Sequence, residues 1–350
     1  MINKKPVPVA KDRRITPVVS VVIPVYNVSL YLTQCLESVI CQTYRDLDII
    51  VIDDGSTDDS ARICDEYAKQ DSRIRVLHTG NRGLASARNL GLLSASGLYI
   101  AFLDGDDWYE LQTIDTLVKT ALQTEADIVV AYSSREYISK TFFPSAIHKS
   151  VQVYCGQDIM PAFAAGLFRN VVWNKLYHVD CFKSICFPEK HNYEDVATTW
   201  KLMKKLEETN GRISIVPEVL FHFRMRQSSI THTGTYSNIL DSWIAFHGKY
   251  EALSDYQDML LPECMRTIGI MWRSYWGFSG EDKEKARNTL KDMRRFSQLN
   301  YHRVLRGNYS IITKAICFFS RSSVRPIMMM CYYGERIRSA YKNAVYKMYD

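Results

Sequence analysis

Tyr99-Ile100-Ala101-Phe102-Leu103-Asp104-Gly105-Asp106-Asp107-Trp108 is the stretch whose reading decides the fold. Its first five residues are mostly apolar and suit a buried strand, and three carboxylates then arrive within four positions. Such a cluster repels itself unless a cation sits on it. At the end of a strand it lies where open α/β sheets bind ligands. Gly105 removes side-chain bulk between the acids, so Asp104 and Asp106 can approach one ion, and hard oxygen donors suit Mg2+ or Mn2+. A solvated acidic turn is the plain alternative.

The pattern around this stretch is a β-α repeat. Residues 18–25 (VVSVVIPV) form a short β-branched run ended by Pro24, of the kind buried on both faces of a parallel sheet. Ser29 can cap a helix whose Leu32, Cys35, Leu36, Val39 and Ile40 recur at helical spacing. Residues 47–52 are the next strand, followed by the turn Asp53-Asp54-Gly55-Ser56-Thr57-Asp58, a helix over 60–69, a strand over 74–78 and a helix containing residues 84–90. A further helix (115–124) and strand (128–132) follow. Right-handed crossovers make this an α/β fold with a mostly parallel central sheet. The pattern weakens over 133–157 and resumes with a strand at 171–177 (VVWNKLY), a helix starting near 192–195, strands at 213–216 and 219–224, and helices after Thr235. The organisation expected is a flexible lead (1–17), a catalytic domain (18–235, with halves 18–132 and 133–235) and a helical, basic C-terminal extension (236–350).

At 350 residues and 47% hydrophobic the chain can bury a large core. Its net charge is +6, yet residues 301–350 alone carry nine Lys or Arg against Glu335 and Asp350, so the basicity belongs to the C-terminus. That argues against a nucleic-acid-binding catalytic domain and towards an anionic surface met by the tail. Nine cysteines without a Cys-x-x-Cys pair fit a reducing compartment. Residues 1–14 have no signal-peptide core and no segment reaches spanning length, so a cytoplasmic location is expected.

The first turn, Pro24-Val25-Tyr26-Asn27-Val28-Ser29, lacks the glycines of dinucleotide enzymes, and no Walker loop occurs. A nucleotide here would need its phosphates neutralised another way, which a metal at Asp104 and Asp106 supplies. Tyr26 could stack on a base while a strand-end carboxylate bonds its edge.

Four ordered motifs, VVIPVYN (21–27), VIDDGSTD (51–58), GLASARNLG (83–91) and FLDGDD (102–107), resemble family 2 glycosyltransferases of the GT-A fold. The match is close over 18–132, looser to about 230, and does not cover the tail. The resemblance implies a nucleotide-sugar donor, usually a UDP-sugar, and inverting transfer to an acceptor hydroxyl. It places Pro24 and Tyr26 at the base, Asp54 on the uracil edge, Arg88 near ribose or diphosphate, Asp104 at the ribose and metal side, and Asp106 as principal ligand of Mn2+ or Mg2+. It makes Asp195, of Glu194-Asp195, the catalytic base. By analogy the pathway is bacterial capsule or exopolysaccharide assembly on a growing, lipid-linked glycan. The other classes are a sugar nucleotidyltransferase, which should carry a glycine-rich phosphate loop, and a non-catalytic nucleotide-sugar-binding protein.

Elementary chemistry agrees on what inversion needs: one base opposite the leaving group and no covalent nucleophile. A helix N-terminus holds Asp195 ionised, although the same position suits an ordinary first-turn acid. Asp53 and Asp58 read as turn and capping residues. Asp107 is a second metal contact or a cap. Trp173-Asn174-Lys175 is a donor-pocket segment or a buried strand with one exposed lysine. Arg224 and Arg226, two apart on a strand, face one side and could grip a diphosphate or an anionic acceptor, or be surface cations. His222, among phenylalanines, reads as a satisfied core histidine, and His178, His191 and His232 have no zinc-like spacing. In the tail, segments 309–319 and 324–333 interleave Ile311, Ile312, Ile316, Phe318, Phe319, Ile327 and Met328 to Met330 with Lys314, Arg321, Arg325, Arg336 and Arg338. They are basic amphipathic helices that lie on anionic lipid, or an extension that packs on the catalytic domain.

Overall fold

The computed structural model describes residues 17–137, 140–144, 146–226 and 235–321. The expectations for the flexible lead up to residue 16, for Arg325, Arg336, Arg338 and the apolar run near 330, and for His232 lie outside these residues. The strands are β1 (Val19–Val25), β2 (Leu47–Asp53), β3 (Ile74–His78), β4 (Tyr99–Phe102), β5 (Trp108–Tyr109), β6 (Ile128–Glu136), β7 (Thr141–Phe142), β8 (Gln152–Cys155), β9 (Lys175–His178) and β10 (Arg212–Arg224). The helices are α1 (Ser29–Ile40), α2 (Ser60–Gln70), α3 (Leu84–Ser94), α4 (Thr113–Thr124), α5 (Ile159–Ala164), α6 (Glu194–Glu208), α7 (Tyr236–Ala252), α8 (Gln257–Ser274), α9 (Gly280–Arg306) and α10 (Ile311–Arg321).

One sheet runs in the order β3-β2-β1-β4-β9-β6-β10-β5, with β7 on β6 and β8 on β10. From β3 to β4 every ladder is parallel, as the β-α repeat implies. The second half makes the whole sheet mixed rather than mostly parallel. Strand β9 enters antiparallel to both β4 and β6, whereas β6 and β10 are parallel to each other. Side chains alternate across the pleat. Val22 and Phe102 therefore join a core with α3, α5 and α6, while Val21 and Ile23 join one with α1 and α4. The first core continues through Trp243, Met265 and Met293, so α7, α8 and α9 share the apolar interior of the sheet domain.

Several local expectations change. Pro24 does not end β1, which continues to Val25. Even-numbered β1 residues bond towards β4, as Val18 and Val22 do through their carbonyls, and β4 stops at Phe102. The missing N–H of Pro24 thus faces no strand. Ser29 makes no side-chain cap on α1. Asp58 does this work from another loop, accepting from the Ser29 N–H at 3.0 Å and from the Ser60 N–H at 3.0 Å, so one carboxylate caps two helices. These bonds outweigh the cost of burial and hold Asp58 at about 2.

The strand expected over 171–177 begins only at Lys175. Trp173 and Asn174 precede it as a turn, in which the Asn174 side chain donates to the Ala131 carbonyl at 2.9 Å. The two strands expected at 213–216 and 219–224 are one, β10, whose register against β6 shifts between Ile215 and Val219, around Pro217.

Helix α3 lies close on β1. A Cβ built on Gly91 would stand 2.2 Å from Val22 Cγ1. We expect Gly91→Ala to lower unfolding free energy by about 1–3 kcal/mol through overpacking, measured by urea denaturation, and a neutral result would refute this contact.

Candidate active site

The parallel strands bring their C-terminal ends together, and the residues that follow them line one edge. Tyr26, just after β1, is 46% exposed. Asp54, just after β2, is buried, and its backbone N–H donates to the Val25 carbonyl at 2.9 Å. Its Oδ1 accepts from Thr79 Oγ1 at 3.0 Å and Arg82 N at 2.8 Å, and Oδ2 accepts from Gly83 N at 2.7 Å. Asp54 therefore fixes the loop that launches α3, and Oδ2 keeps acceptor capacity. Asp53 behaves as a turn residue, accepting from Ser56 N at 3.1 Å and meeting His78 Nδ1 at 2.8 Å.

One turn into α3, Arg88 is 2% exposed. Its Nη2 donates to Asp104 Oδ1 at 2.7 Å, and its Nη1 donates to Glu194 Oε1 at the start of α6. Burial opposes the charge, but Asp104, Glu194 and Asp195 together raise its pKa above the ordinary arginine range. Sequence reasoning placed Arg88 and Asp104 but missed Glu194 as the second anchor, for which adjacency to Asp195 was the only signal.

Asp195 occupies the first turn of α6, partly buried, with Oδ1 accepting from the Val196 N–H at 2.7 Å. Tyr193 before it holds a left-handed backbone, φ 62°, which turns the chain sharply into the helix. The helix N-terminus does not hold Asp195 fully ionised as expected, because burial and the adjacent Glu194 charge push it up to about 7, against the pull of Arg88. Lys175 is not the exposed lysine that the strand pattern allowed. It is fully buried, donates to the Arg169 carbonyl at 2.9 Å, the Val171 carbonyl at 2.5 Å and Asn174 Oδ1 at 2.7 Å, and burial pushes it down to about 7.

On the acid turn, Asp106 pairs with Arg226 at 2.6 Å. Asp107 is fully buried; Oδ1 accepts from Arg224 N at 2.9 Å, and Oδ2 has no hydrogen-bond partner. Burial and the charges of Asp106 and Asp104 raise Asp107 well above the carboxylate range. Gly105 has a packing reason as well, since a Cβ there would meet Val28 Cγ2 at 3.1 Å and the Pro24 carbonyl at 3.2 Å. Arg224 and Arg226 do face one side, both lying over the Tyr31 ring, at 4.9 and 5.7 Å. They are not merely surface cations, because Arg224 also reaches Gln34 Oε1 at 2.6 Å and the Asp106 carbonyl at 3.0 Å. His222 is satisfied, set between Glu110 and Glu136 at 2.8 Å each and stacked on Trp108.

Among the described residues no three His, Cys, Asp or Glu side chains are grouped to hold a metal ion. The turn fits a cation all the same: Asp106 already holds a positive group, Asp104 accepts from another through Oδ1, and an oxygen of Asp107 lies buried without a partner. Two carboxylates that share an ion with substrate phosphates are the usual Mg2+ arrangement, in contrast to an all-protein cage.

A family model described as glycosyl transferase family 2 matches residues 20–188. EpsH of Bacillus subtilis, assigned as a glycosyltransferase, is 32% identical over 286 residues, covering 78% of this chain and 82% of EpsH. The chain belongs to glycosyl transferase family 2. Glycosyltransferase GlyA of Streptococcus pneumoniae is also 32% identical, over 247 residues that make up 68% of this chain and 34% of GlyA, so the chain spans about a third of that relative. Among solved structures, Staphylococcus aureus TarS 1-349 in complex with UDP-GlcNAc superposes with a TM-score of 0.59 at 17% identity, over 79% of this chain and 81% of that 1-349 chain. The mannosyltransferase PcManGT of Pyrobaculum calidifontis, in complex with GDP-Man and Mn2+, gives 0.52 at 15% identity, over 91% and 90%. These likenesses show the GT-A fold.

Removing Arg88 would leave Glu194 buried without its cation. We expect Arg88→Ala to cost about 3–5 kcal/mol, read by chemical denaturation, with Arg88→Lys intermediate because one ammonium cannot serve two carboxylates in a fork. A loss below about 1 kcal/mol would match a surface pair instead.

Proposed function

We propose that this chain is an inverting transferase that moves a sugar from a nucleotide-sugar, a UDP-sugar by preference, to an acceptor hydroxyl. The observation that carries the reading is the Arg88 bridge. It ties a two-carboxylate turn suited to a diphosphate-bound ion to a helix start carrying one carboxylate poised near neutrality. Tyr26 and Pro24 border the base, Oδ2 of Asp54 has the capacity to accept from the uracil N–H, and Arg88 lies beside ribose and diphosphate. Asp106, with Asp104, would hold Mn2+ or Mg2+, and the ion supplies charge neutralisation of the departing nucleotide. Asp195 takes the acceptor proton as the hydroxyl attacks the anomeric carbon from the face opposite the leaving group. A base near 7 matches the operating pH, being partly ionised there yet a stronger proton acceptor than an ordinary carboxylate.

TarS is bound to UDP-GlcNAc in its structure and PcManGT to GDP-Man and Mn2+, which supports a nucleotide-sugar donor and a divalent ion for this chain too. The acceptor in this reading is a glycan growing on a lipid carrier for a bacterial surface polysaccharide, met at the cytoplasmic face of a membrane. In this reading the contact is peripheral; no helix among the described residues is long and apolar enough to cross a membrane.

Release of UDP from a panel of UDP-sugars, with and without Mn2+, tests the donor half. We expect metal-dependent release with one donor, lost in Asp106→Ala by about a hundredfold or more, in the range of lost transition-state charge stabilisation. In Asp195→Asn, donor binding should persist while transfer falls by about 10²–10⁴-fold. Failure to bind any uridine nucleotide would sink the donor assignment.

The raised carboxyl of Asp195 also fixes a pH profile. Transfer should rise as pH climbs through about 7 and level off above it, since only the ionised form accepts a proton. Stability runs the other way. A carboxyl whose folded pKa exceeds its unfolded value contributes most below the unfolded value, and this is lost as pH rises towards 7. Asp195→Asn should therefore raise the melting temperature at pH 8 and leave it nearly unchanged at pH 4, by differential scanning fluorimetry; equal shifts at both pH values would refute the assignment.

A further inference from the structure

Helix α10 is inverted with respect to ordinary amphipathic packing. At about 100° per residue, Thr313, Cys317 and Ser320 share the face turned inwards, and all three are buried. There Ser320 Oγ donates to Ser297 Oγ at 2.7 Å, and Cys317 Sγ reaches the Ser297 carbonyl at 3.5 Å. Ile316 seats beside Gly269 of α8, so the helix is docked and not frayed. The opposite face carries Ile311, Ile312, Ala315, Phe318 and Phe319. Ile311 is 83% exposed and Ile312 66%. A helix at a protein surface normally puts its apolar stripe inside. Here Thr313, Cys317 and Ser320 are inside with Ile316 at their edge, and Ile311 and Ile312 face water.

The surroundings are basic. Lys314 flanks the apolar face, and Arg295 and Arg306 are exposed on α9, the helix against which α10 packs. A second copy of the chain would bring the same charge to the contact and repel it. An anionic lipid surface answers both features, with branched apolar side chains entering the headgroup–acyl boundary and cations meeting phosphates.

We propose that the outward face of α10, led by Ile311 and Ile312, docks this enzyme on an anionic bilayer surface. This deepens the reading of a lipid-linked acceptor, because a transferase held at the surface meets its acceptor in two dimensions. Docking is nevertheless measured without donor or acceptor, so failure of one reading does not decide the other.

The full chain is sedimented with vesicles of phosphatidylcholine alone or mixed with phosphatidylglycerol, beside an Ile311→Ser/Ile312→Ser double variant whose UDP-sugar hydrolysis and melting temperature are also recorded. We expect binding only to the anionic vesicles, weakened by salt, and reduced about tenfold or more in the double variant with hydrolysis and melting temperature retained. Equal binding by both proteins, or none by either, overturns the proposal. So does light scattering that finds a wild-type dimer and a monomeric variant, which would assign the face to a second copy. A variant that melts well below the wild type, with no vesicle binding by either, would assign the face to the chain's own C-terminal residues and likewise overturns it.

Discussion

The site depends on one buried guanidinium. Arg88 stands between Asp104, which follows β4, and Glu194, which opens α6, and nothing else described joins those two carboxylates. An ion pair taken out of water contributes little net stability, because desolvation offsets most of the attraction. What it supplies is registration. The fork of Arg88 can satisfy both partners in only one relative placement of the acid turn and the α6 N-terminus, and those two elements carry the proposed ion ligands and the proposed base. Arg88 is itself positioned, since Asp54 clamps the loop before α3 and Gly91 lets α3 settle against Val22. The motif around residues 83–91 is thus one mechanical unit, with its anchor, its fork and its contact surface in order.

The same geometry separates two carboxylates by environment. Asp106 lies beside the cation of Arg226, which compensates its charge, whereas Asp195 sits against another carboxylate, Glu194, with only a share of Arg88's field. Burial raises both acids, so what differs is the partner each one has: a cation in contact with Asp106, and a second carboxylate beside Asp195. Assigning opposite roles to acids by pushing their environments apart is a general route to acid–base chemistry near neutrality. Lys175 belongs to this balance from behind, being buried and drawn into the carbonyls of the 169–174 turn.

The first half of the fold was legible because its signals are local. Apolar β-branched runs buried on both faces, separated by helical periodicities, place β1 to β4 within a residue or two of where they lie. The second half hides its structure in tertiary contacts. A four-residue strand such as β9 inserts antiparallel between β4 and β6, with no hairpin or crossover pattern to announce it, and Lys175 in that strand looks solvent-exposed until its carbonyl partners are seen. Asp58 caps a helix thirty residues earlier in the chain, which no capping rule based on neighbours detects, so Ser29 was credited instead. Arg224 and Arg226 could be placed on one face, yet that this face meets Asp106 and Asp107 follows only from the pairing of β10 with β5 and β6.

This division has a chemical counterpart. The proposed donor side of the site is made from strand ends and the turns directly after them, so its residues are fixed by backbone register and lie in contiguous motifs. The proposed acceptor side draws on the N-terminus of α6 and the end of β10, segments that share no local pattern and are tied to the acid turn by the side chains of Arg88 and Arg224. In that proposal a short motif suffices for a diphosphate and a base, because the residues assigned to them come from one sheet edge. An acceptor pocket has no such edge to use. The shape of a pocket for the proposed acceptor is set by how segments far apart in sequence lean on one another, so local motifs speak to the proposed donor and not to the acceptor.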